Sequence, residues 1–159
     1  MNPTHVHLLV NHFSLLIPVI GLAILISGFI FKSEVVKQTA LALFIAGAIL
    51  TLPAKISGEN AEDEVEKIPE IEHTFVEEHE DAAKRFAIFS YILGAISLIG
   101  FWASKKQKTF ANIIALIVIL FSFVVLYMGW VAGNTGGEIR HPEIRSGSVQ
   151  LFLNENNLS

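Results

Sequence analysis

Four stretches of this chain carry no lysine, arginine, aspartate or glutamate, and their lengths constrain the fold more than any other feature. They run from the N-terminus to Phe31, from Gln38 to Ala54, from Phe86 to Ser104, and from Thr109 to about Gly133. A helix that crosses a bilayer needs about 20 mostly apolar residues. Within lipid the backbone must satisfy its own hydrogen bonds, so such stretches form helices rather than open strands. The shortest is flanked by Lys37 and Lys55, whose long side chains can snorkel and extend it. The first stretch has no basic leader and no small-residue cleavage site after Phe31, which reads as a retained span rather than a signal peptide.

Composition agrees. Mean hydropathy is +0.56, and charged residues make up 16% of the 159, against roughly 25% in ordinary globular proteins. A disordered chain would be poorer in apolar residues. A net charge of −4 leaves no basic face for nucleic acid. With no cysteine, disulfides and thiolate metal sites are excluded. The expected fold is all-α: one four-helix transmembrane bundle over residues 1–145, spans near 8–31, 37–55, 86–104 and 109–132, and a polar tail at 146–159. A partly helical acidic loop, 57–85, joins helices 2 and 3.

Lysines set the expected orientation. Lys32 and Lys37 flank the first short loop, and Lys105, Lys106 and Lys108 fill the third. The positive-inside rule puts both loops in the cytoplasm, and both termini and the acidic loop outside. Short loops imply antiparallel hairpins, with helices 1 and 3 on a diagonal. Ala42 with Ala46, Ser90 with Gly94, and Gly129 with Gly133 offer close-packing faces, first for contacts within the bundle and second for a homodimer. Pro18 is expected to kink helix 1.

Of the 15 acids, 11 fall between Glu59 and Asp81. Asn60 fits the cap of a short helix over Ala61, Val65 and Ile68, ended by Pro69. Thr74-Phe75-Val76-Glu77 fits a capping box, from which a helix should run unbroken into the third span. Glu80–Lys84 and Asp81–Arg85 are i,i+4 pairs on a solvated face. His79 shares a different face with Phe75, Val76, Ala83 and Phe86, so it should point inward.

All six histidines, His5, His7, His12, His73, His79 and His141, fall on the outer side in this topology. His12 lies one turn inside an apolar stretch, where an ionisable group is costly and suggests function. His5 and His73 read most simply as interfacial. His141 follows Gly136-Gly137, a pair that lets the chain fold back over the bundle mouth.

These residues resemble a bacterial four-helix membrane domain family of unknown function, some members of which are fused to Rieske iron–sulfur or cytochrome c modules. His7-Leu-Leu-Val-Asn-His12-Phe13-Ser14 matches the family's opening motif, except that Ser14 stands in place of proline. Ser57-Gly58-Glu59-Asn60-Ala61-Glu62 resembles the acidic motif that ends the family's second helix. Glu78-His79-Glu80-Asp81-Ala82-Ala83 is similar to the start of its third, and Gly136-Gly137-Glu138-Ile139-Arg140-His141 to its closing segment. The resemblance implies a redox-linked role in the bacterial inner membrane and b-type haem held by paired histidines.

Three functions follow as expectations. In the first, the chain transfers electrons through haem b at the outer mouth, with His12 and His79 as axial ligands. His7 and His141 would serve a second haem or its propionates. Arg85, Arg140 and Lys84 would neutralise propionates, and Phe13, Phe86, Phe89 and Trp130 would wall the ring. In the second, His7, His12, His79 and His141 with Glu59, Glu62 or Glu80 bind non-haem Zn, Fe, Mn or Cu. In the third, the chain is a cofactor-free accessory subunit of a membrane complex, its acidic layer docking a basic partner such as a cytochrome c or respiratory complex. No charge lies within a span, which argues against a transporter.

Overall fold

The computed structural model describes residues 3–65 and 73–140, with side chains described over 11–58 and 73–139. Four helices follow in order: α1 (Pro3–Ile30), α2 (Glu34–Val65), α3 (His73–Lys105) and α4 (Ala111–Arg140). Each is long and apolar enough to cross a membrane, so the described chain is an all-α, multi-pass bundle. Helices α1 and α2 form one hairpin and α3 and α4 a second. Helix α2 packs on α3, and α1 and α4 approach each other least among the neighbouring pairs.

Two expectations about the acidic segment change. Helix α2 runs unbroken to Val65, so Asn60 lies inside it rather than at the start of a separate helix. Glu and Ala are good helix formers, and Gly58 alone costs only about 1 kcal/mol. Helix α3 begins at His73, which puts Thr74–Glu77 in its first turn rather than at its cap. The expected continuity from Phe75 into the third span holds. Ile68 and Pro69 lie outside the described residues, as does the tail.

The two hairpins are built alike. Helix α1 ends in a Schellman motif: Ser33 N donates to Gly28 O at 2.9 Å and Lys32 N to Phe29 O at 3.2 Å. Helix α3 repeats it 75 positions on, with Lys108 N donating to Ala103 O at 2.9 Å and Gln107 N to Ser104 O at 3.0 Å. The turn residues Lys32 and Gln107 are left-handed, with φ of 51° and 49°. Burial repeats at the same spacing: Leu22 with Ser97, Leu25 with Gly100, Ala40 with Ala115, Gly47 with Ser122, Ala54 with Gly129 and Ser57 with Ala132 are all buried. The two hairpins therefore share one turn geometry and one burial spacing, 75 positions apart.

Lipid tails are as apolar as leucine, so helices in a bilayer associate by close packing rather than by the hydrophobic effect. At Gly94 on α3 an added Cβ would collide with the Ala48 Cβ on α2. Ser90 and Ser97 flank this contact, buried and with no hydrogen-bond partner for their hydroxyls. Their small size serves the helix approach. The equivalent of Ala48–Gly94 at the α4–α1 seam is Phe123 and Val19. Both are exposed rather than packed together, and this seam is the looser of the two.

At the end bearing the two short loops, here the basic end, Lys37 is only 5% exposed. It does not snorkel as expected. Its ammonium pairs with Glu34, reaches Asn112 Oδ1 across the bundle at 2.5 Å, and sits 5.0 Å from the Phe29 ring centroid. Gly28 makes the inward path possible, since a Cβ there would lie 2.7 Å from the Lys37 Cγ. Gln38 Nε2 donates to Ser104 Oγ at 2.9 Å, and Ser104 Oγ donates to Glu34 at 3.2 Å.

Candidate functional site

The splayed α1–α4 seam leaves a groove of about 400 Å³ near the opposite, histidine end. Leu15 and Val19 of α1, Phe86 of α3, and Val125, Leu126, Gly129, Trp130, Gly133 and Asn134 of α4 line it. That volume lies in the range of small-molecule sites, and a mostly apolar lining with few polar groups is typical of them. Glycines form part of the α4 wall. A Cβ on Gly129 would come within 2.9 Å of Leu15 and 3.2 Å of Phe86, whereas one on Gly133 would meet nothing within 4 Å.

Neither favoured histidine lines the groove, but each shares a helix face with residues that do. His12 precedes Leu15 by three residues and Val19 by seven, so it continues that face of α1 toward the histidine end. It is exposed on the bundle surface, so the bundle itself does not bury it. His79 precedes Phe86 by seven residues on α3. It is half-buried and turned inward as its spacing predicts, with Nδ1 3.1 Å from Thr135 Oγ1 on α4. Thr135 in turn donates to the Val131 and Ala132 carbonyls at 3.2 Å. Gly136 admits the imidazole, since a Cβ there would lie 3.0 Å from the His79 Cε1.

Other candidates fare unevenly. Phe86 and Trp130 line the groove. Phe89 instead stacks on Phe121, ring centroids 5.8 Å apart, and Phe13 is exposed away from it. Glu80 pairs with Lys84 at 2.7 Å, which ties up a proposed metal ligand and a proposed propionate partner together. Arg85 is exposed, and His73 is exposed at the start of α3. The side chains of His5, His7, Glu59, Glu62 and Arg140, and His141 altogether, lie outside the described residues. Among the described residues, no three His, Asp or Glu side chains come together as a metal site would need.

Thr135 and Asn134 escaped the sequence reading, which gave Gly133 a packing role and Gly136-Gly137 a fold-back, whereas α4 runs helical through both glycines. Thr135 follows His79 by 56 positions, a pairing visible only once α3 and α4 are packed. Heptad spacing from Gly129 to Gly136 was the available signal, because both glycines then share one face of α4. No protein-family model, curated protein or solved structure matches this chain.

Proposed function

We propose that the chain is a membrane redox protein in which the α1–α4 groove would hold haem b through the imidazoles of His12 and His79. One observation carries this reading: an apolar, partly glycine-walled groove is lined by Leu15 and Phe86, which continue the helix faces that bear His12 and His79. The site suits a flat apolar ring. Phe86 and Trp130 supply aromatic surface along the groove, and Gly133 leaves room on α4. The Thr135 hydroxyl meets the His79 ring at Nδ1 and holds its orientation. Arg85 is exposed near this end to meet propionate charge. Bound haem iron supplies a reversible one-electron couple tuned by its ligands and its burial. The acidic segment from Glu59 to Asp81 fits docking of a basic electron carrier such as a cytochrome c. The lysine-rich loops support placing that segment outside a bacterial cytoplasmic membrane.

An absorption spectrum of detergent-purified protein expressed with ample haem, with metal analysis of the same sample, tests this. A Soret band is expected, abolished by His79→Ala and weakened or lost in His12→Ala. Gly133→Phe should fill the groove and lower haem occupancy without loss of helicity. A colourless protein overturns the proposal. Stoichiometric metal in that colourless sample would favour the non-haem site, and a co-purifying partner without either would favour the accessory subunit.

A further inference from the structure

We propose that the basic end of the bundle binds the headgroups of anionic phospholipids. Lys32 lies in the first loop, and Lys105, Lys106 and Lys108 lie at and beyond the end of α3. All four are exposed, and none pairs with a carboxylate among the described residues. The carboxylate described at this end, Glu34, is occupied by Lys37 and Ser104. Four positive charges are therefore left uncompensated. At the histidine end the pattern differs, since the Lys84 ammonium is matched by Glu80.

Position makes these charges available to lipid rather than only to water. Eighteen residues of α2 separate Lys37 from Lys55, a rise of about 27 Å at 1.5 Å per residue. This nearly matches a hydrocarbon core of about 30 Å, so the loops sit at headgroup depth. Phe31, Trp102 and Phe110 are exposed at this level, where aromatic rings favour the interface. The Lys105 ammonium lies 5.7 Å from the Phe101 ring centroid, which holds it close to the helix end. Lys32 and Gln107 take the same left-handed corner of the two hairpin turns, which puts the four lysines at one end of the bundle. A headgroup phosphate would meet ammonium groups while its acyl chains lie along the exposed rings.

The chain's two tryptophans give the test an internal control. Trp102 reports the basic end and Trp130 the histidine end. The full chain carrying Trp130→Phe is reconstituted with brominated phosphatidylglycerol or brominated phosphatidylcholine, and quenching of Trp102 is followed at low salt. Quenching should favour phosphatidylglycerol. The preference should fall by about fivefold for each lysine replaced in Lys105→Gln, Lys106→Gln and Lys108→Gln, and should weaken with salt. In the Trp102→Phe protein, Trp130 should show no preference. These lysines are exposed, so circular dichroism should be unchanged. Equal quenching by the two lipids, or a preference that survives the triple substitution, overturns the proposal. So does displacement by millimolar inorganic phosphate, which would assign the site to a soluble anion. The result is independent of haem.

Discussion

A buried lysine is costly unless its charge is met, and Lys37 has three partners: Glu34, Asn112 and the face of Phe29. Removing one partner leaves the ammonium in place with less to hold it. Glu34→Ala should therefore destabilise the bundle by about 1–3 kcal/mol, less than for a wholly buried pair because Glu34 is half exposed. Lys37→Met removes the charge with the volume nearly kept and should cost less than Glu34→Ala. Denaturation midpoints in one detergent compare the two. An equal or greater loss for Lys37→Met would contradict this ranking. Sequence alone marks Lys37 as a flanking, snorkelling residue, because the room that turns it inward comes from Gly28 on another helix. His79 was legible because its inward face follows from spacing within one helix. Thr135 was not, because it belongs to the next.

At the scale of the element, two helices end on left-handed residues that carry side chains. Glycine is usual at this position of a Schellman turn, since a Cβ strains a positive φ. Lys32→Gly and Gln107→Gly should each raise stability by up to about 1 kcal/mol, read as a higher denaturation midpoint. A lower midpoint for both would mean that the side chains stabilise the loops in some other way. The four spans were legible because a run without charge has few alternatives in lipid. Their ends were less so. Residues 59–65 read as an acidic loop, yet a string of Glu and Ala extends a helix readily once a preceding span has nucleated it.

For the whole molecule, the difference between the two inter-hairpin seams decides where a ligand can enter. Gly94→Val should destabilise by roughly 1–3 kcal/mol, because the Ala48 side chain already occupies the space. Gly133→Val faces open groove and should be tolerated within about 0.5 kcal/mol. Thermal melts of both variants check the contrast, and similar losses would show that the α1–α4 seam is as tightly closed as α2–α3. Small residues were noticed at both places in the sequence. Which seam closes was not legible, because it depends on pairing Gly94 with Ala48 but Val19 with Phe123. The diagonal contact between Lys37 and Asn112 also bears on biogenesis. Helix α4 leaves the ribosome after the first hairpin, and it brings Asn112. Until it arrives, the Lys37 ammonium has only Glu34 and an aromatic face as partners within its own hairpin. A half-made chain is thus marked by an incompletely matched charge, the feature by which a membrane quality-control protease could tell it from the finished bundle.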